Sequence, residues 1–445
     1  MSKIRLHGTS SGYTEIAPVA ASGNNTLTLP NDGTIISKDA AGAVGVTSVH
    51  TTNITATGIA TITTAKIGAG VTISESGIEA SGIGITVANI NGTQIGGKRN
   101  LIINGAMHIA QRGSSSTSTG YGSVDRFAIS ASGQDEAPTA AQVDVSSGTT
   151  PYTLGFRKSY KITNGNQTGG AGTSDGIFLN YSIEAQDVAN SGWNYTSSSS
   201  FVTLSFWVKS SVAQNFYGRL YSYDGTPQGY VFETGSLTAD TWTKIEKTIP
   251  GNSNLTFDNN NAAGLLLELV AFRGTGFTAS MTLDQWAAYN SNSRVPDMTS
   301  TWYTTNDATL EFTGIQLEVG SQATTFEHRT FGDELQLCQR YCELIVRGAS
   351  RYINNSVGYN TNALYIIIRF AVEKRSTPTF SHTSGTDYYK NWHNNTGTAF
   401  DGFSGTSWVN EQAMAIYTTS TVDAKEAGLL GANNASAEIL MTSEL

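Results

Sequence analysis

Between Tyr13 and Tyr121 the chain carries no aromatic residue. Residues 121–445 hold all 17 Phe, all 7 Trp and every Tyr except Tyr13. Aromatic side chains supply much of the area of an ordinary core, so a hundred-residue globular domain without one is a poor prospect. The first hundred residues and the remainder must be built on different plans. A length of 445 residues suggests about three domains at roughly 150 residues each. Only 14% of residues are charged, against roughly 25% in soluble globular chains. With 47 Gly, this is the composition of a β-rich, turn-rich protein with a polar but weakly charged surface.

The formal net charge is −9 and no basic run occurs, which argues against a surface that tracks nucleic-acid phosphates. No apolar run reaches the roughly 18 residues of a membrane-spanning helix, so no membrane insertion is expected. The opening "MSKIRLHG" lacks the apolar core of a secretory signal, so synthesis in a cytoplasm is expected. Two cysteines make no disulfide framework.

Residues 41–97 carry only Lys66, Glu75 and Glu79 as formal charges. Their Ile residues stand at 54, 59, 62, 67, 73, 78, 83, 85, 90 and 95, often after Gly, with a recurring spacing of five. That period is not the heptad of a coiled coil. Ile, Val and Thr favour strands, and Gly permits tight turns between them. One copy of such a repeat cannot bury its own Ile side chains; it needs neighbours along the chain or from other chains. Residues 41–98 therefore read as a β-rich stalk in which three chains intertwine, Ile inward and Thr and Ser outward. A disordered Gly/Thr linker is the alternative, and the regular Ile residues argue against it. Residues 1–40, with "TLTLP" and the turn signals "GNN" and "NDG", read as a small cap of two or three short strands that needs a partner to be stable.

From Val124 the pattern is strand, turn, strand. Strands are expected near 124–130, 141–145, 158–163, 177–184, 201–208, 216–223, 241–249, 264–272 and 310–319. "FVTLSFWVK" and "YGRLYSYD" alternate with period two. Nine strands without intervening helices argue for a β-sandwich or jelly roll. The one clear helix is "FGDELQLCQRYCELI", 331–345. Its Leu335, Cys338, Tyr341, Cys342 and Ile345 form one stripe, and Asp333 and Glu334 sit in the first turn, where carboxylates suit the helix dipole. "NALYIIIRFAV", "TPTFSH", "TSWVN", "EQAMAIYTTS" and "SAEILMTSEL" then read as strands of a smaller terminal β domain. The divisions are 1–40, 41–98, 99–330 and 331–445.

"RNLIINGAMHIAQRG" (99–113), "GYGSVDRF" (120–127), "LSFWVKS" (204–210), "FTGIQLEVGSQATTFEHR" (312–329) and "FGDELQLCQRYCEL" (331–344) resemble, in that order, the distal region of tail fibre proteins of tailed bacteriophages. The N-terminal "GTSSGYTEIAPVAASGNNTLTLPNDGT" resembles a short virion-attachment segment common in phages of marine bacteria. The resemblance implies a homotrimeric structural protein of the virion. Residues 1–40 would dock on a tail or capsid protein. A carbohydrate-binding-module-like jelly roll, a linking helix and a small C-terminal β-sandwich would then face a host surface glycan or protein. It implies receptor binding and host attachment, and carries no catalytic motif and no cofactor.

His328, Cys338 and Cys342 give three potential metal ligands where structural zinc usually wants four, and a cysteine pair on a helix stripe reads better as core. Asp135 and Glu136, Asp125, Glu184, and Glu311 with Glu318 are the acids a polysaccharide hydrolase would need; the strand acids are expected instead to pair with Arg112, Arg126 or Arg329. "GGAGTSDG" (169–176) lacks phosphate-loop spacing. Sugars are held by aromatic faces with polar edges around them. Three clusters offer that: Trp193 and Tyr195 with Asn194; Trp302 and Tyr303 with Asn306 and Asp307; and Tyr388, Tyr389, Trp392, His393 and Asn394. The third is preferred as the most polar and the most distal. Glu327, His328 and Arg329 are expected to fix an interdomain angle. The expectation is an attachment fibre without catalysis; a non-binding spacer or capsid appendage, and a polysaccharide depolymerase, are the alternatives.

Overall fold

The computed structural model describes residues 99–360, 363–393, 395–419 and 427–445, and the backbone of five short strands between residues 4 and 80. The chain divides into two compact units, 1–86 and 87–445. In the first, Ile4–His7 pairs antiparallel with Tyr13–Ile16. Thr64–Ile67, Val71–Ser74 and Gly77–Ala80 form an antiparallel meander inside the Ile repeat. The expected strand near Thr26–Leu29 and the winding of the stalk lie outside the described residues.

The second unit is mostly β. One six-stranded antiparallel sheet runs, edge to edge, through Trp286–Ala288, Gln228–Ser236, Asn215–Ser222, Ala263–Arg273, Gly176–Glu184 and Ala128–Ser132. The other runs through Thr243–Pro250, Phe201–Ser210, Thr309–Val319, Lys158–Thr163, Thr139–Asp144 and Ser115–Ser116. The chain passes repeatedly from one sheet to the other, which is the wrapped connectivity of a jelly roll. Their facing sides share one core, including Phe206, Phe232, Leu267, Trp302 and Phe312. Strand Ala263–Arg273 is buried from Gly264 to its end, although alternation would leave one side wet. The segment after it explains this: Met281, Leu283, Val295 and Met298 fold back over Val231 and Val270 on the sheet's outer side. Beneath them Glu268 is held between Arg219 and Arg273. Burial pushes its carboxyl up, and the two guanidiniums outweigh that and hold it low.

Residues 342–445 form a smaller sandwich. A three-stranded sheet (Cys342–Arg347, Glu438–Thr442, Thr379–His382) and a seven-stranded sheet enclose Ile366, Ile368, Tyr389, Phe400, Met414 and Ile439. The seven strands, edge to edge, are Thr396–Phe400, Tyr389–His393, Gly428–Ala432, Arg351–Asn360, Ala363–Arg369, Ala413–Thr418 and Gly405–Ser407.

The helix is shorter than its stripe suggested. It spans Phe331–Gln339 and is capped by Thr330, whose hydroxyl accepts from the Asp333 N–H at 3.2 Å. Cys342–Arg347 is a strand instead, paired with Glu438–Thr442. Leu344, Ile345 and Val346 suit an extended chain, and a partner strand was available, so tertiary pairing overrode the helical period. Both thiols are buried and free, and burial raises them above the usual thiol range.

Around this helix the two domains are joined by buried polar groups. The Arg126 guanidinium lies 3.4 Å from the Tyr341 ring centroid and 5.1 Å from that of Tyr181. It donates to Glu444 and to the Ser182 carbonyl, both at 2.6 Å. Arg340 donates twice to Glu184, at 2.7 and 2.8 Å. Burial raises the Glu184 carboxyl, but the hydrogen bonds from Arg340 and Tyr341 more than offset this and lower it. The Gln111 amide donates to the Cys342 carbonyl at 2.6 Å and accepts from the Leu344 N–H at 3.1 Å. Across the seam the Arg375 guanidinium donates to the Asn261 carbonyl at 2.9 Å.

Arg126→Ala leaves Glu444 without its closest partner and opens a void between two tyrosines. Loss of one member of a buried pair costs about 3–5 kcal/mol, so urea unfolding should show a correspondingly lower midpoint; an unchanged midpoint would refute the role assigned to Arg126. Asp125 is pushed up to about 6 by burial, against the lowering effect of its hydrogen bonds from Gln111. A carboxyl raised in the folded state takes up its proton on folding, so its contribution is most favourable at low pH and declines as pH rises from about 4 to about 6. Relative to Asp125→Asn, the wild type should gain up to about 3 kcal/mol between pH 7 and pH 4; parallel pH curves for the two proteins would contradict this.

Candidate functional site

The outer side of the seven-stranded sheet gathers most of the exposed large apolar residues of the described chain. Tyr352, Val357, Tyr359, Ile367, Trp392 and Leu429 stand on its strands, and Trp408 beside its last strand. Alternation puts them there: Leu364, Ile366 and Ile368 turn into the core, so Tyr365, Ile367 and Arg369 turn out. Register then lines them up. Val357 pairs with Tyr365, Tyr365 with Tyr417, and Tyr417 with Gly405. On the other half of the sheet Leu429 pairs with Trp392, and Trp392 with Gly397.

At the Gly405–Ser407 edge four rings form a ladder. Tyr365 stacks on Tyr417 (5.1 Å, 19°), Trp408 lies 5.6 Å from Tyr365, and Tyr359 lies 5.2 Å from Tyr365 and 6.0 Å from Trp408. Trp408 is 65% exposed and its backbone is left-handed, φ 48°, a conformation bulky residues rarely adopt. Strained backbone of this kind gathers at functional sites. Reading "TSWVN" as one strand is corrected here: the strand stops at Ser407, and Trp408 turns out of it.

At the opposite edge, Trp392 forms a second platform. A Cβ on Gly431 would stand 2.7 Å from its indole, and one on Gly397 3.1 Å from it. Because both residues lack that atom, the indole can lie across the neighbouring strands. Around it an open depression of about 490 Å³ is lined by Lys390, His393, Asn395, Thr396, Gly397 and Leu429, a volume within the roughly 300–1,000 Å³ of small-ligand sites.

The three sequence clusters fare differently. Trp302 and Tyr303 are core residues with no face to offer: the indole donates to the Thr309 carbonyl, and the Tyr303 hydroxyl donates to Asp175 at 3.0 Å. Trp193 is buried against Tyr195 and Phe257, and Tyr195 itself packs edge-on to Phe257 at 4.9 Å. Tyr389 is wholly buried, its hydroxyl donating toward the Thr383 and Glu438 carbonyls, and Tyr388 packs on the terminal core. Asn394 lies outside the described residues. Trp392 and His393 do line the surface depression. Tyr352, Tyr359, Tyr365, Trp408 and Tyr417 were missed. The signal was present in part: strands such as "RYINNSVGYN", with aromatics spaced among polar residues, leave an aromatic side out, but the sequence does not say which.

The acids are engaged elsewhere. Glu311 meets Lys209 at 2.9 Å, not an arginine. Glu318 accepts from Gln316, and from the backbone and hydroxyl of Thr324. Arg112 reaches Asp125 at 3.9 Å and Glu444 at 3.0 Å, Arg126 turns to Glu444, and Arg329 to Glu327 and Glu334. His328 bonds the Leu154 carbonyl at 2.9 Å and packs on Phe156 and Phe326. Glu327 accepts from the Asn100 N–H at 2.7 Å. These three residues thus tie the strand exit to segments of the jelly roll. Among the described residues no three His, Cys, Asp or Glu side chains are placed to share a metal ion.

No family model and no curated protein matches this chain. Solved structures resembling it include one described as "CBM4 structure and function", 13% identical, covering 48% of this chain and 97% of its own, with a TM-score of 0.25. A putative sugar-binding protein from Bacteroides thetaiotaomicron is 11% identical over 49% of this chain and 99% of its own, TM-score 0.26. The CBM22-1 xylan-binding domain from Paenibacillus barcinonensis is 12% identical over 51% of this chain and 100% of its own, TM-score 0.25. Likeness at this level carries no functional argument, and the fold above rests on the strand order of the chain itself.

The strain at Trp408 gives a direct test of whether that residue serves folding. Asn tolerates the left-handed region, and Trp408 is mostly exposed. Trp408→Asn should therefore leave the thermal midpoint unchanged, within the equivalent of about 0.5 kcal/mol, or raise it; a drop of several degrees would make Trp408 a structural residue.

Proposed function

We propose that this protein is a phage fibre that attaches the virion to a host by binding a surface glycan through the outer side of its seven-stranded sheet. The observation that carries this reading is the pair of aromatic platforms on that side, around Trp408 and Trp392, which serve no core. Flat rings hold the CH faces of sugars, and the polar residues beside them take the hydroxyls. The motif resemblance described above supports the virion setting and docking through residues 1–40 on a tail or capsid protein. No catalytic step is proposed.

A homotrimer belongs to this proposal. The Ile repeat supports it, since a meander of four-residue strands cannot bury its own apolar face. Three copies of a weak sugar site would also gain by effective concentration. Val357, Ile367 and Leu429, all more than half exposed in mid-sheet, favour a second reading for that strip alone, as a contact between copies.

Purified protein should block adsorption of the phage to its host, and Trp392→Ala combined with Trp408→Ala should abolish that block while the fold persists. No competition at saturating dose would favour the spacer; loss of host capsular polymer on incubation would favour the depolymerase. Light scattering should give the mass of three chains, and a single-chain mass would remove the trimer.

A further inference from the structure

The charge of the binding side points to the class of glycan, an inference that rests on the glycan reading above. The seven strands of this sheet contain not one Asp or Glu, and alternation turns Arg369 and Lys390 to the outer side, in a chain with 35 acids against 26 Lys and Arg. The three-stranded sheet behind it, by contrast, does carry acids, Glu343 and Glu438, beside Arg347 and His382.

The imbalance is sharpest at Trp392. Among the described residues, the lining of the depression includes one ammonium and one imidazole and no carboxylate. Lys390 turns out of the sheet beside Trp392, and its ammonium stands 5.6 Å from the indole centroid. It leans over Gly397, where an added Cβ would lie 3.2 Å from Nζ. Among the described residues no carboxylate lies within ion-pair distance of it. Asp401, the acid that follows the neighbouring hairpin strand, accepts from the Asp387 N–H at 3.0 Å. A lysine with no acid beside it among the described residues, aimed over an aromatic platform, is matched by a ligand that brings both an apolar ring face and a negative charge.

We infer that the Trp392 depression takes a carboxylate-bearing sugar, a uronic or ulosonic acid residue of a host surface polymer, with its CH face on the indole and its carboxylate on the Lys390 ammonium. Asn395 and Thr396 stand at the rim where ring hydroxyls would lie. Capsular polymer and lipopolysaccharide core both present such sugars, and the recognised chemistry is the same.

The test uses the full chain and a glycan array of oligogalacturonate, oligoalginate, hyaluronan and ulosonic-acid oligosaccharides, each beside its carboxyl-reduced neutral form. The acid forms should bind on the order of tenfold more tightly than the reduced forms, the scale of one charge-assisted hydrogen bond, and the difference should shrink with added salt. Lys390→Gln should remove that difference with an unchanged thermal midpoint; Trp392→Ala should weaken both forms. Which acid sugars respond separates the capsular from the lipopolysaccharide source. Equal binding of acid and reduced forms, or a Lys390→Gln protein that keeps the preference, overturns the inference and leaves the glycan reading standing. Binding to none of the forms, with no block of adsorption, overturns both.

Discussion

The described body depends on a buried cation at a domain seam. Arg126 is almost without solvent, sandwiched between one tyrosine from each domain and bonded to Glu444. A guanidinium in that position is tolerable only if every neighbour is correctly placed, because an unpaired buried charge is far costlier than the pair is favourable. The same logic covers Glu184 with Arg340 and Tyr341, and Gln111 between Asp125 and the backbone of Cys342–Arg347. Apolar seams tolerate sliding. A seam of directional hydrogen bonds has one register, so the jelly roll and the terminal sandwich meet in one way. Of the block "TGIQLEVG…FEHR…CQRYC", the last part builds this seam through Arg340 and Tyr341, and the rest ties the closing strand and its exit into the jelly roll.

Much of the fold was legible. All nine strands expected between residues 124 and 319 are present, most within two residues of their limits, since period-two alternation with turn signals is a strong pattern. Gln228–Ser236 was missed because its "QGYVFETGS" carries two glycines and no clean alternation. In the terminal domain Arg351–Asn360, Tyr389–His393, Thr396–Phe400 and Gly428–Ala432 were missed. Their short text, rich in Gly or Asn, carries no clean alternation, and they are strands because neighbours pair with them. The ending of the helix at Gln339 has the same cause.

The site was less legible, for a reason that Trp302 and Trp392 make plain. Each sits in a polar neighbourhood with a tyrosine close by, and composition does not separate them. What separates them is which side of a sheet they occupy and whether something covers that side. Trp302 lies under the jelly-roll core, and Trp392 stands on a sheet with no layer above it among the described residues. Burial is decided by partners distant in sequence, so local text cannot report it. The Trp408 ladder was invisible for a further reason: its four rings come from three strands and a turn that meet only through register.

The glycines under Trp392 set the terms on which such a surface can drift. At Lys390 and Leu429 a new side chain points into open space, so the chemistry offered to a ligand can change in one step with little cost to the fold. At Gly431 a side chain would strike the indole, and at Gly397 it would strike the Lys390 stem and crowd the indole. Variation is thus steered toward the charge and contour around the ring and away from the ring itself. A lineage changing its preferred ligand would be expected to keep the tryptophan flat and rewrite its surroundings.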